Sequence, residues 1–147
     1  PDAQEMDLTE PKNCTCFNLR RAARAVTQLY DEALKPTGLR ATQMPILAML
    51  DAIGSVPMTQ LANALGMDRT TLTRNLRPLL AQKLVATTEG ADKRQRRVEI
   101  TAQGRRRLTD AEPHWRAVQT RLAESFGIPE WQNLMGGLDN LVAEIHD

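Results

Sequence analysis

The chain has 147 residues, 41% of them apolar and 25% charged but only 3% aromatic, so a single domain must build its core from Leu, Val, Ile, Met and Ala. No run of eighteen apolar residues is present, which excludes a membrane-spanning helix. The acidic, polar stretch 1–12 lacks a signal peptide's layout and reads as a flexible tail, so the expected compartment is the cytoplasm.

A net charge of +1 hides an uneven distribution. Residues 69–107 carry eleven Lys and Arg against three Asp and Glu, whereas residues 108–147 carry two against seven. A basic middle beside an acidic end is the footprint of a region that meets a polyanion, although a charge run by itself is more often a solvated surface.

In chain order, the spacing predicts six helices and one strand pair, without repeats or low-complexity segments. The first helix spans about 15–34, with Phe17, Val26, Leu29 and Tyr30 near one stripe, and it ends before Pro36-Thr37-Gly38. Thr42 is placed to cap the second helix, in which Pro45 falls in the first turn and Ile46, Leu47, Leu50 and Ile53 face inward until Gly54. Thr59 is placed to cap a short third helix carrying Leu61, Ala62 and Leu65, stopped at Gly66. Asp68 is placed to cap the fourth, which carries Leu72, Leu76, Leu79, Leu80 and Leu84 and is interrupted by Pro78.

From Val85 the period changes. Val98-Glu99-Ile100-Thr101 alternates as a half-buried strand does, and residues 89–95 read as the charged tip of a hairpin. Two long helices follow. Leu108, Ala111, Trp115, Val118 and Leu122 recur at steps of three and four, as do Trp131, Leu134, Leu138, Leu141 and Ile145. A seam this narrow normally packs on another helix, favouring a homodimer; a monomeric helical hairpin would use the same seam.

The segment 58–72 is helix, tight Gly-containing turn, helix, the arrangement that sends a second helix into a major groove while the first braces it. Turned at 100° per residue, the fourth helix puts Leu72, Leu76, Leu79 and Leu80 on one face and Thr70, Thr71, Arg74, Arg77 and Ala81 roughly opposite. Arginine grips guanine O6 and N7 through two parallel bonds, and threonine serves phosphate or a thymine methyl. One amphipathic helix alone reads as an ordinary surface helix; the preceding helix, the turn and the charged hairpin reverse that reading. In the tip Asp92-Lys93-Arg94-Gln95-Arg96-Arg97, Arg94 is assigned to the minor groove, Asp92 to a charge pair that stabilises the wing, and Arg96, Arg97 and Arg105–Arg107 to phosphates or solvent.

These pieces, in this order, resemble the MarR family from Cys14 to Ile145. The resemblance rests on Leu65-Gly66-Met67-Asp68-Arg69-Thr70-Thr71-Leu72-Thr73-Arg74 through Leu84-Val85, then Asp92-Lys93-Arg94 and Ile100-Thr101-Ala102-Gln103-Gly104. It implies a mostly α fold with a small β-hairpin wing: a winged helix-turn-helix domain plus N- and C-terminal dimerisation helices. On that scheme 13–147 is a single domain, in which about 40–101 forms the DNA-binding lobe and about 13–38 with 102–147 the dimerisation helices. The resemblance brings Arg69, Thr73 and Lys93 into the set of DNA contacts. It also implies double-stranded DNA with a pseudo-palindromic operator as the partner, and repression relieved by a small molecule, often aromatic or phenolic, or by an oxidant.

Cys14 and Cys16 open the first helix. Two cysteines alone make no four-ligand metal site, and neither a metal nor a cofactor is expected. Cys16-Phe17 with Tyr30 fourteen residues on resembles the hydroperoxide-sensing branch of the family, in which the cysteine is oxidised and the tyrosine holds it. That branch has a second tyrosine where this chain has Arg20. Cys14, Cys16 and Tyr30 are therefore the candidate redox set, with incidental cysteines as the plainer reading. No catalytic residues are expected. A thiol-dependent peroxide enzyme is the remote alternative, and a winged helix serving RNA or protein contacts is another; A-form RNA keeps its major groove too narrow for the 70–77 face.

Overall fold

The computed structural model describes residues 5–89 and 95–146. Six α-helices and three short strands follow one another: α1 (Thr15–Leu34), α2 (Met44–Ile53), β1 (Val56–Pro57), α3 (Met58–Leu65), α4 (Arg69–Ala81), β2 (Val85–Thr88), β3 (Arg97–Ile100), α5 (Ala102–Phe126) and α6 (Ile128–His146). The mostly helical winged-helix architecture is as the sequence predicts, and α1 has the predicted bounds. The predicted strand pair becomes a three-stranded antiparallel sheet of order β1-β3-β2. β3 alternates as expected, with Val98 and Ile100 buried and Arg97 and Glu99 exposed. Val85 pairs with Ile100 and Thr88 with Arg97, which brings the two hairpin strands into register. Two-residue β1 is a strand only by its pairing with β3, Val56 opposite Val98 and Pro57 opposite Arg97.

One apolar cluster holds the helices and sheet together. Leu34, Ile46, Leu47, Leu50, Leu61, Leu72, Leu79 and Leu84 are fully buried in it, and Leu108 and Trp115 of α5 pack against its edge. The lobe that contains α3 and α4 therefore shares one interior with the start of α5.

Several local expectations need correction. Thr42 does not cap α2; Gln43 precedes the helix, and its buried side-chain oxygen accepts from the Arg40 amide at 3.0 Å, closing the turn instead. Thr59 lies inside α3, whose first amide, Met58 N–H, donates to the Arg96 carbonyl at 2.9 Å. A helix start satisfied by a neighbouring strand needs no side-chain cap. Ile53 and Leu80, read as core, are 44% and 37% exposed. Within the expected tail, residues 7–13 form turns in which the Asn13 side-chain amide donates to the Asp7 carbonyl at 2.8 Å.

The long helices use their seams unequally. In α5, Ala111 and Val118 are buried. In α6 no residue is buried: Trp131, Leu138 and Leu141 are half-covered, and Leu134 and Ile145 are exposed.

Candidate nucleic-acid interface

The turn between α3 and α4 is closed by backbone alone. Gly66 adopts φ 67°, its N–H donates to Asn63 at 3.2 Å, and Met67 N–H reaches back to Ala62 at 2.9 Å. Such a close needs a left-handed residue after the helix, which glycine supplies without steric cost. Asp68 then caps α4 as predicted, its carboxylate accepting from Thr71 N–H at 2.7 Å. That amide and the Thr71 hydroxyl, with a smaller contribution from the Arg74 charge, hold the Asp68 carboxyl below the usual carboxylate range.

With Leu72, Leu76 and Leu79 buried, the opposite side of α4 is fixed in solvent. Arg69, Thr70, Thr73, Arg74 and Arg77 line one shallow, open depression there. Asp68 is the only carboxylate in α4 or its capping turn, so the face is basic. Thr71 differs from its expected placement: it is half-buried at the first turn and lies outside the depression. The Thr73 hydroxyl is spent on the Arg69 carbonyl at 2.8 Å, leaving its methyl and hydroxyl oxygen for a partner.

The wing is reached only in part. Asp92, Lys93 and Arg94 lie outside the described residues. Arg96 is exposed beside them. Arg97, assigned to phosphate or solvent, has an internal partner: Nε donates to Ser55 Oγ at 3.2 Å and Nη2 to the Ser55 carbonyl at 2.7 Å. Two more of the proposed phosphate ligands have internal partners. Arg105 pairs with Asp51 of α2 at 3.2 Å, and Arg107 donates through Nη1 to the Thr37 carbonyl at 3.1 Å and to Gln82 Oε1 at 3.4 Å. These contacts span 25 to 70 residues of sequence and have no local signal.

The redox set is dispersed within the protomer. Cys14 caps α1, its sulfur accepting from Phe17 N–H at 3.5 Å, and Cys16 is exposed in the first turn. Tyr30 lies on the same helix fourteen residues on, roughly 21 Å along the axis at 1.5 Å per residue. One protomer therefore does not bring Tyr30 to Cys16. Its hydroxyl donates instead to Gln119 of α5, a partner the sequence did not indicate, and burial pushes its phenol up. Among the described residues no group of three or more His, Cys, Asp or Glu side chains is placed to hold a metal, and no helix is long and apolar enough to cross a membrane.

Comparison with known proteins agrees with this geometry. A family model described as "MarR family" matches residues 37–95. A transcriptional regulator of the helix-turn-helix type from Bacillus subtilis (strain 168), YwoH, is 27% identical over 92 residues, covering 63% of this chain and 67% of that protein. Among solved structures, the M. tuberculosis transcriptional regulator MosR in complex with DNA superposes with a TM-score of 0.83 at 41% identity, covering 90% of this chain and 96% of MosR. The transcriptional repressor CouR bound to a 23-mer DNA duplex gives a TM-score of 0.79 at 25% identity, over 94% and 99% of the two chains.

Proposed function

The chain belongs to the MarR family of DNA-binding transcription regulators, and from that premise we propose that it reads a pseudo-palindromic operator as a homodimer. The α4 face of Arg69, Thr70, Thr73, Arg74 and Arg77 enters the major groove, and the 89–96 wing, with Lys93, Arg94 and Arg96, reaches the flanking minor groove and phosphates. The observation that carries this reading is the fixed orientation of α4: its leucines are locked inside, so its arginines face outward. Two such helices must stand about 34 Å apart to meet successive grooves on one side of the duplex.

The dimer is assigned to α1 and residues 102–147, with 40–101 as the DNA lobe. Phe17, Leu19 and Val26 on α1, Phe126 at the end of α5, and Ile128, Leu134, Val142 and Ile145 on α6 are large apolar side chains at least 38% exposed. A second copy covers them in this reading. The protein acts in the cytoplasm, where the chromosome is, as a repressor released by a small molecule that binds one arrangement of the dimer better than the other. Its role in this reading is regulatory rather than enzymatic, as its relatives are transcription regulators.

Selection of operators from a random pool tests the assignment. Arg74→Ala relaxes preference at one base position per half-site, worth about 1–3 kcal/mol, while Arg94→Ala weakens binding evenly and lowers the salt slope by about 1. Indistinguishable selections from the two variants overturn it.

A second reading of the signal is favoured by two exposed thiols at the start of α1, Cys14 as its cap and Cys16 in its first turn. A hydroperoxide transfers one oxygen to the Cys16 thiol: the S–O bond forms as the O–O bond breaks, giving a sulfenic acid and releasing alcohol or water. Peroxide that still releases operator from Cys16→Ser protein ends that reading.

A further inference from the structure

The contacts where α4 ends and α5 begins form a knot that DNA contact alone does not explain. α4 terminates with Leu84 N–H donating to the Leu79 carbonyl at 2.9 Å and with Lys83 at φ 60°, a left-handed conformation that non-glycine residues seldom adopt. The carbonyls of that turn are then captured by the start of α5. Thr101 N–H donates to the Leu84 carbonyl at 3.0 Å, and the Thr101 hydroxyl donates to the Lys83 carbonyl at 2.8 Å. The same hydroxyl oxygen accepts from Gly104 N–H at 3.0 Å, capping α5.

Gly104 lets the two elements touch. A Cβ there would sit 2.1 Å from the Leu84 carbonyl oxygen and 2.8 Å from Ile100 Cγ1, so no other residue fits without displacing backbone. One turn further on, Arg107 reaches two other elements. Its Nη1 bonds both the carbonyl of Thr37, in the link between α1 and α2, and the side chain of Gln82, the last residue capping α4. Gly38, at φ 76°, completes the seat: a Cβ there would stand 3.0 Å from Arg107 Nη1.

We propose that Gly104 and Arg107 are positioning residues that lock α5 to the C-terminal end of α4 and thereby set the separation of the two recognition helices in the dimer. The inference rests on the operator-binding reading above. Its physical content is leverage. α5 has 25 residues and is roughly 37 Å long at 1.5 Å per residue. A tilt of about 5° at its anchored end displaces the other end by about 3 Å, close to the ~3.4 Å step between base pairs along one strand. A clamp that holds the tilt below that keeps both helices in register with the grooves. Arg107 thus acts through α4 and touches no base; that separates it from the phosphate ligand its basic neighbours suggest.

The test compares two duplexes, the selected full operator and the same duplex with one half-site scrambled, titrated with full-length dimer by fluorescence anisotropy. Engaging two half-sites gains a bivalency factor on the order of 10²–10⁴ when the geometry fits. In Arg107→Ala, half-site affinity stays within about twofold of the parent while full-site affinity falls on the order of tenfold, and the preferred spacing between half-sites broadens in selection. Gly104→Ala gives the same pattern, read only with its dimer mass and melting transition in hand; if it fails to fold, Arg107→Ala decides alone. Equal losses on both duplexes make Arg107 a phosphate contact or a general stability residue and overturn the inference, as does full-site binding unchanged by Arg107→Ala. If the parent protein binds no duplex in selection, the operator reading itself fails, and the inference with it.

Discussion

Replacing Thr101 by valine keeps shape and removes one hydroxyl that serves two masters. That oxygen accepts from Gly104 N–H at 3.0 Å, and its hydrogen is given to the Lys83 carbonyl at 2.8 Å. Loss of a threonine cap costs about 1 kcal/mol, and loss of a donated bond about 1 more. Gly104 is buried, so water does not readily replace the cap. The sum, about 2 kcal/mol, lowers the melting temperature by about 4–8 °C for a chain of this size. The assay is thermal denaturation at a fixed protomer concentration, because assembly makes the transition concentration-dependent. Thr109→Val is the control. That hydroxyl bonds only the Arg105 carbonyl four residues back on the exposed face of α5, and its removal shifts stability by no more than about 0.5 kcal/mol. If both valine variants melt together, the junction between α4 and α5 is not the anchor its bonds suggest.

Two side chains predict pH dependence of opposite sign. Asp68, held low by its Thr71 bonds, stabilises α4 above the unfolded carboxylate pKa of about 3.9, and that contribution is lost as pH falls through the lower folded value. Asp68→Asn still caps but does not titrate, so the stability gap between it and the parent changes on acidification below about pH 4; a gap constant in acid melts contradicts the cap's electrostatic part. Tyr30 is raised by burial, so its contribution is complete below an unfolded pKa of about 10 and disappears as pH rises through the folded one. Tyr30→Phe removes the bond to Gln119, at the low end of about 0.5–1.5 kcal/mol because the site is only half-buried, and flattens the alkaline limb of the stability profile.

The features that sequence exposed best were those with a short period or a local bond. α1 and the seam of α5 announce themselves by spacing, and Asp68 by its place before a leucine stripe. The Thr101 cap is an equally local bond, to the residue three positions on, yet the alternation over 98–101 reads Thr101 as strand. Thr42 and Thr59 misled because a helix start has more than one way to satisfy its amides: Met44 N–H donates to the Arg40 carbonyl and Met58 N–H to the Arg96 carbonyl. β1 was invisible: two residues have no period, and the strand exists only because β3 arrives beside it. The basic residues showed the sharpest divide. Arg69, Arg74 and Arg77 face outward by helical geometry alone, whereas Arg97, Arg105 and Arg107 were bound by Ser55, Asp51, Thr37 and Gln82, partners that only the folded chain brings near. Composition marked both groups as the same positive patch; the fold divides them into arginines turned to solvent along α4 and arginines fastened to internal partners.

Nineteen residues of α6 without a single buried one describe a helix that borrows its interior. A free helix of that length is only marginally persistent in water. Every residue of the apolar cluster that buries α4 precedes α6 in the chain. A lone protomer would then carry a finished reading head and an unfinished handle, and the supply of a second copy would decide how firmly the handle sets.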